Sequence, residues 1–533
     1  MLQAARHALL LALCAAIASA PAALPVKVWV VLADKGPGLL PPGPGAGAAA
    51  RAFEDLPLYV PHLEALARAG FAADAPLKWQ NRVSGRIDAA RLPALRALPC
   101  VAAVQPMSRR KPRAPAPPVR FPPAWPPAKR AAGMDYGISA ELFDSLGISR
   151  LHRWMEAAGL EPGKGVRVAV IDADFHLGSP AFADLKPRIR DQWDFAGNRA
   201  RAVDDSLLDS HGAECLSLIG GNAPGTMAGA APAADFLLYR AEVDETETYA
   251  EEDYVAAAIE RAVDSGAQVI SISLGYRYDF EPGQPDIPFA QLDGRTRPAS
   301  LAALGAARRG AVVSVSMGNE ADAHPDGPSL GTPADADSIL SVGIADRSRA
   351  RCSYSSTGPA ADGRLKPEVA TLGLVGGCAV GVADPEAVPA GTVHYSGTSF
   401  AAPVVAAAAA LLRQLRPEAT AEQVRQALML TAVRTGRPDS ELGRGIIDVP
   451  AAARALGVPI AAGLSPRRQA RLFHGGGKAP IFMAWDPLRD PPGLELVDAR
   501  GRRVPVSISR SGTILALRPD RALPTGVYMT RLP

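Results

Sequence analysis

Residues 394–415 read HYSGTSFAAPVVAAAAALLRQL, and the way this stretch folds decides the arrangement of the rest. Four small residues, Ser396, Gly397, Thr398 and Ser399, lead straight into an almost uninterrupted run of Ala, Val and Leu. Pro403 falls where a helix tolerates a missing amide, in its opening turn. The pattern predicts a buried helix with Ser399 at its mouth. The first amides of a helix have no partner inside it and carry partial positive charge, so an oxyanion formed on a group attached to Ser399 would be held there. A serine ahead of an apolar run is as often a plain helix cap, so the decision falls to the remainder of the chain.

At 533 residues the chain has room for three or four units of roughly 150 residues each. Apolar residues make up 48% and charged residues 21%, the balance of a folded globular protein. A formal net charge of +3 is close to neutral for this length and argues against a nucleic-acid partner. The five cysteines, Cys14, Cys100, Cys215, Cys352 and Cys378, show no CxxC spacing, which speaks against zinc or a redox pair. Cys352 and Cys378 could pair in an oxidising compartment or stay as buried thiols.

The first twenty residues carry Arg6, an apolar core over residues 8–17 and the small residues Ala18, Ser19 and Ala20. They read as an export signal, too short for a permanent membrane anchor. No membrane attachment is expected after its removal, and the protein is expected to be secreted, with periplasmic or cell-surface retention through its C-terminal part as the variants.

Strand and helix patterns then interleave: strands at 26–32 and 83–87, helices at 61–69 and 90–98, and a run at 101–104, with a loop to about residue 50. This describes a small α+β domain over residues 24–108. Residues 109–130, RKPRAPAPPVRFPPAWPPAKR after the first Arg109, are a Pro-rich basic linker that cannot build a core and is open to proteolysis. From 131 to 460 fully apolar strands (166–171, 234–239, 269–274, 311–316) alternate with helices (212–219, 254–265, 299–308). That alternation implies a parallel sheet covered on both faces, with ligands at the carboxyl ends of its strands. Short alternating runs over 465–533 predict a small antiparallel, sandwich-like β-domain.

Three residue types in this frame carry chemistry. Asp172 ends the strand VAVID, His211 opens DSHGAECLSLIGG after Asp209 and Ser210, and Ser399 stands at the helix mouth. Each alone has a bland reading, as a loop aspartate, a helix-start histidine or a cap. Together they supply a nucleophile, a base to take its proton and a carboxylate to orient that base, in the chain order Asp, His, Ser. Ser273, Leu274 and Gly275 end another strand, an edge that can hold an extended peptide. Gly318 and Asn319 end a further strand, and the Asn319 side-chain amide can serve as an oxyanion donor beside the Ser399 amide.

These stretches resemble, motif by motif and in order, the subtilisin-like serine proteases (subtilases, peptidase S8). VAVID, HG at His211-Gly212, SLG at 273–275, MGNE at 317–320 and GTSFAAP at 397–403 carry the resemblance. It implies a three-layer α/β/α domain with a parallel sheet, Asp172, His211 and Ser399 as the triad and Asn319 as oxyanion donor. It implies polypeptide substrates bound along Ser273 to Gly275 and Gly318, and a zymogen whose residues 24–108 act as intramolecular inhibitor and folding aid. No cofactor is implied; calcium is common in such proteins, but no site can be placed from the sequence.

The sequence departs from the family where Ala173 and Asp174 replace the usual Ser or Thr and Gly, and Ala213 and Glu214 the usual Thr-His. A second carboxylate so near is expected to raise the pKa of Asp172 or to add charge near the substrate strand. A catalytically silent peptide-binding protein is the alternative these changes leave open. An α/β-hydrolase esterase would want a GxSxG elbow that Ser399 lacks.

Overall fold

A computed structural model describes residues 25–42, 48–107, 134–204, 211–242, 248–280, 284–374, 379–383, 392–434 and 436–460, with seven strands between 471 and 531. Two compact units result, residues 1–456 and 457–533. The export signal, the Pro-rich linker and the Asp209-Ser210 pair lie outside the described residues.

The chain first builds a four-stranded antiparallel sheet from β1 (Val26–Leu32), β2 (Ala72–Leu77), β3 (Arg82–Ile87) and β4 (Val101–Met107), in the order β2-β3-β1-β4. Helices α1 (Ala48–Asp55), α2 (Val60–Arg68) and α3 (Leu92–Arg96) accompany it. β1 shows how the pleat sorts its residues. Val28, Val30 and Leu32 enter a core with Leu66, Val83, Ile87 and Leu95, while Lys27 and Trp29 project from the other face. α1 falls partly in what reads as loop, because its Ala and charged residues follow a Pro/Gly-rich run.

After α4 (Ala140–Ser145) and α5 (Ile148–Ala157) comes the central sheet: β5 (Arg167–Asp172), β6 (Ile189–Asp194), β9 (Asp235–Arg240), β10 (Val269–Ile272), β11 (Val312–Ser316), β12 (Leu340–Ala345) and β13 (Val369–Leu372). Between β6 and β9 lie α6 (His211–Gly220) and a two-strand hairpin of β7 (Asn222–Ala223) and β8 (Met227–Ala228). The order is β13-β12-β11-β10-β5-β9-β6, with every pair parallel. Strand order therefore reverses between β5 and β10, which is where an open α/β sheet leaves a crevice for ligands.

On one face α7 (Tyr249–Asp264) and α8 (Pro298–Arg308) pack with Ile171, Ile272, Val313 and Val315. Ser314 points the other way and donates to the carbonyl of Ala402 at 2.8 Å, in α9 (Ala401–Leu415). The fold is thus a three-layer α/β/α sandwich, as the alternating pattern predicts. A hairpin of β14 (Ala379–Ala383) and β15 (Thr392–Ser396) delivers the chain to a tight turn, Thr398–Phe400, ahead of α9; α10 (Ala421–Thr431) and α11 (Val449–Ala455) follow. Thr398–Leu415 is apolar and long enough to cross a membrane, yet 83% of it is buried inside the protein. Its alanines let the helix lie against the sheet, and it is a core helix.

Several elements differ from the sequence reading, three of them in the central domain with a local cause. α7 begins at Tyr249, not 254, because a capping box starts it: Glu251 accepts the Thr248 amide at 2.5 Å. β6, IRDQWD, is a polar edge strand with no alternation to betray it. β12 and β13 are short apolar strands interrupted by Gly or Thr. Cys352 is disulfide-bonded, whereas Cys100 and Cys215 are free; Cys378 lies outside the described residues.

The second unit forms two antiparallel sheets. One has the order β16 (Arg471–His474), β22 (Gly526–Arg531), β18 (Glu495–Asp498), β19 (Arg503–Val504). The other has β17 (Ile481–Ala484), β21 (Ile514–Pro519), β20 (Val506–Ser511).

Candidate active site

Asp172 is the last residue of β5 and fully buried. Its Oδ1 accepts from the Ala173 amide at 2.8 Å and faces His211 Nδ1 at 2.5 Å. His211 is the first residue of α6, so its ring swings over the strand end while the helix runs behind the sheet. With the carboxylate as acceptor, Nδ1 carries the imidazole proton and Nε2 presents a lone pair. Gly212 allows this approach: a Cβ there would stand 2.7 Å from Asp174 O and 3.1 Å from Asp172 Cβ.

Ser399 lies in the turn before α9, buried. Its carbonyl accepts from Ser273 Oγ at 2.8 Å and from the Cys215 thiol at 3.4 Å, and its own Oγ lies 3.4 Å from Ser273 O. Cys215 stands one turn after His211 on α6, and the neighbouring Phe400 ring packs on His211 at 5.8 Å between centroids. The three residues far apart in sequence thus share one rim of the sheet, beside the β5/β10 reversal. Burial and the Asp172 charge push the Cys215 thiol well above its ordinary pKa, so it stays a neutral S–H donor.

Asn319 follows β11. Its Oδ1 accepts from the Thr398 amide at 2.9 Å and lies 3.1 Å from Thr398 Oγ1, which in turn accepts from the Gly318 amide at 3.0 Å. Holding the oxygen end turns Nδ2 toward the turn of Ser399; it lies 3.6 Å from where a Cβ on Gly397 would be. Gly318 adopts a positive φ of 101°, which lets its chain double back so that Ser356 Oγ accepts from the Glu320 amide at 2.9 Å. Ser273 and Leu274 are buried and Gly275 is exposed, leaving backbone at the rim between Asp172 and Asn319.

The model of the subtilase family matches residues 163–445, more than half of the chain. The chain belongs to the subtilase family. Subtilisin E of Bacillus subtilis (strain 168) is 31% identical over 297 residues, covering 55% of this chain and 66% of that protein, just under two thirds of its length. Subtilisin of Bacillus pumilus is 30% identical over 297 residues, 55% of this chain and 92% of that protein. Among solved structures, fervidolysin from Fervidobacterium pennivorans, a keratinolytic enzyme related to subtilisin, superposes with a TM-score of 0.54 at 21% identity, covering 94% of this chain and 70% of that one; this likeness is one of fold.

In this subtilase the unusual Asp174 is not a loose charge beside the site. It is buried and paired with the Arg240 guanidinium of β9, so the second carboxylate noted in the sequence meets a countercharge. Among the described residues, the His, Cys, Asp and Glu side chains close enough to share a metal are Asp172, His211 and Cys215, which are the site itself. The segment after Tyr276 ties the two rim loops together: Arg277 donates to Pro328 O at 2.6 Å, and Tyr278 stacks on His324 at 3.6 Å. Sequence reasoning missed Arg240, Cys215 and Thr398 as supporting groups. Only Thr398 carried a signal, its place inside the nucleophile motif.

Proposed function

We propose that this chain is a secreted serine endopeptidase, made as a zymogen, that hydrolyses peptide bonds through Asp172, His211 and Ser399. The observation that carries the reading is the 2.5 Å contact of His211 Nδ1 with Asp172 Oδ1 at the same sheet rim as Ser399. An extended polypeptide pairs with the backbone of Ser273 to Gly275 and presents a carbonyl to Ser399 Oγ. His211 Nε2 takes the hydroxyl proton as the C–O bond forms, and Asp172 stabilises the resulting imidazolium. The tetrahedral oxyanion accepts from Asn319 Nδ2 and the Ser399 amide. His211 then gives its proton to the departing amine, leaving an acyl-enzyme; water activated by the same imidazole hydrolyses it. Written this way, the reaction calls for no cofactor.

The N-terminal sheet supports the zymogen reading, since it covers α7 and α8 of the central domain. Glu260 of α7 accepts the amides of Lys78 and Trp79 at 2.8 and 3.1 Å. Lys78 Nζ pairs with Asp264 at 2.5 Å, and Arg309 lies over the Trp79 ring at 4.1 Å. Residues 24–108 then act as inhibitor until cut in or near the Pro-rich linker.

A fluorophosphonate probe tests the central claim. It should label wild-type protein at Ser399, and Ser399→Ala should abolish both labelling and release of the N-terminal domain. Wild-type protein that stays unlabelled and uncut sinks the reading, and leaves a silent peptide-binding relative in its place.

A further inference from the structure

We propose that Asp174 and Arg240 form a charge-compensated positioning pair that holds the Asp172–His211 couple, taking over the support that the usual residues after the aspartate give. The proposal rests on the protease reading only in giving that couple a catalytic task.

Two connections meet at Asp174, and a third runs beside it. Its carboxylate pairs with Arg240 Nε. Arg240 ends β9 and is the register neighbour of Asp172 across the sheet. The main-chain carbonyl of Asp174 accepts from the Ala213 amide at 3.2 Å, in the first turn of the helix that begins with His211. The residue just after β9, Ala241, donates to the Asp172 carbonyl at 2.9 Å. Asp174 therefore ties together the strand that carries the acid, the strand beside it and the helix that carries the base. With Gly in its place, as the family pattern has it, the side-chain tie to β9 would not exist.

The charge arrangement explains why the pair is tolerated so deep. Arg240 Nη1 also lies 3.4 Å from Asp194 Oδ1, and Asp194 is buried, with Arg199 Nε at 2.7 Å on its other oxygen. Arg199 reaches Asp204 at 3.2 Å. Arg240 thus sits between two buried carboxylates, and removal of Arg240 or Asp174 upsets the buried charge balance beside the strand end that carries Asp172. Near His211 stand Asp172 of β5 and Cys215 of α6, whose side-chain atoms lie within 4.8 Å of its ring, and Glu214 in the same first turn of α6. None of these changes in the variants below.

A group that merely fills space would lower stability when altered; one that balances charge moves the titration of His211 in a direction set by sign. Asp174→Asn leaves Arg240 under-compensated, which disfavours the imidazolium and lowers the His211 midpoint. Arg240→Gln leaves Asp174 and Asp194 under-compensated and raises it. For one charge gained or lost beside the strand end at a partly wet site, the shift is on the order of half a pH unit each way. The double variant should return near wild type, and Arg240→Lys, which keeps the charge, should not move it.

The test is histidine-selective 15N NMR of the full chain carrying Ser399→Ala, which prevents self-cleavage, with the His211 resonance assigned through His211→Gln. Opposite shifts in the two single variants and restoration in the double variant support the pair. Shifts of the same sign, or none, overturn it. If Arg240→Gln does not fold, Asp174→Asn against Arg240→Lys decides: a downward shift in the first alone supports the proposal, and an unmoved midpoint rejects it. Since the readout is a titration and not turnover, it stands or falls independently of whether fluorophosphonate labels wild-type protein.

Discussion

Asn319 Oδ1 accepts the Thr398 amide at 2.9 Å, so the side chain proposed to hold the oxyanion is oriented by the residue immediately before Ser399, the proposed nucleophile. A carboxamide has one acceptor end and one donor end, and engaging the oxygen leaves the NH2 group to face the turn. Replacing Asn319 with Leu keeps the size and removes the donor. The size known from subtilisin, a relative of this chain, is a loss of about 100- to 1,000-fold in kcat, adopted here as the expectation. Thr398→Val keeps the amide but loses the hydroxyl that buttresses Gly318 and Asn319; one net hydrogen bond corresponds to a loss of up to about tenfold. Steady-state kinetics on a peptide substrate check both, and an Asn319→Leu enzyme with wild-type kcat would remove Asn319 from the mechanism.

Asp172 fixes which nitrogen of His211 carries the proton. In Asp172→Asn the amide can present its NH2 to Nδ1, which then becomes the acceptor and leaves Nε2 protonated, the wrong form for a base. The expected fall in kcat is about 10,000-fold near neutral pH. Wild-type activity should decline on the acid side as His211 takes a proton, around pH 6 to 7 for an ordinary imidazole. A profile that stays flat down to pH 4 would exclude His211 as base.

Much of this was legible because it is local. VAVID is a fully apolar strand with a carboxylate at its end, and residues 401–412 are a helix apolar on every side; both patterns read directly as a buried parallel sheet and a core helix. The supporting groups were not legible for the opposite reason. Arg240 meets Asp174 from 66 positions along the chain, and nothing near either one marks the pairing. Cys215 reads as one more apolar residue of α6 until the Ser399 carbonyl is placed against it. The early start of α7 depends on a reciprocal cap between Thr248 and Glu251, which an apolar-face count passes over. β6 escapes notice because an edge strand owes its place to its neighbour β9 rather than to alternation.

Gly212→Ala tests how close the helix of His211 must come to the strand of Asp172. The added methyl would meet Asp174 O at 2.7 Å and Asp172 Cβ at 3.1 Å, backbone on one side and a strand-held side chain on the other. The start of α6 has to move away, which lengthens the His211–Asp172 contact. Overpacking of this kind costs about 1–3 kcal/mol, and activity should fall more than about tenfold, since that contact directs the base. Gly327→Ala, where the added Cβ meets nothing within 4 Å, is the matched control. Equal activity and thermal stability in the two variants would contradict the packing argument.

Docking of the N-terminal sheet should depend on pH through Glu260. Burial pushes its carboxyl up to about 8, outweighing the amides of Trp79 and Lys78 that pull it down. Asp253, which pairs with Arg82 at 3.4 Å and meets Trp29 Nε1, is raised by burial as well, and so is Glu252 beside Arg297. Once the N-terminal domain leaves, Glu260 regains water and an ordinary carboxyl value of about 4.3. Between those limits the docked state holds a proton that the separated state does not. That contribution to docking is complete below the ordinary value and is lost as pH rises through about 8. The processed N-terminal domain should therefore stay bound in mildly acidic solution and dissociate more readily toward alkaline pH, in the range where His211 is neutral and able to act as base. Size-exclusion chromatography of the cleaved protein at pH 5, 7 and 8.5 reads this directly. Glu260→Gln, which cannot ionise, should flatten the dependence; release that is equal at all three pH values in the wild type would show that Glu260 does not govern it.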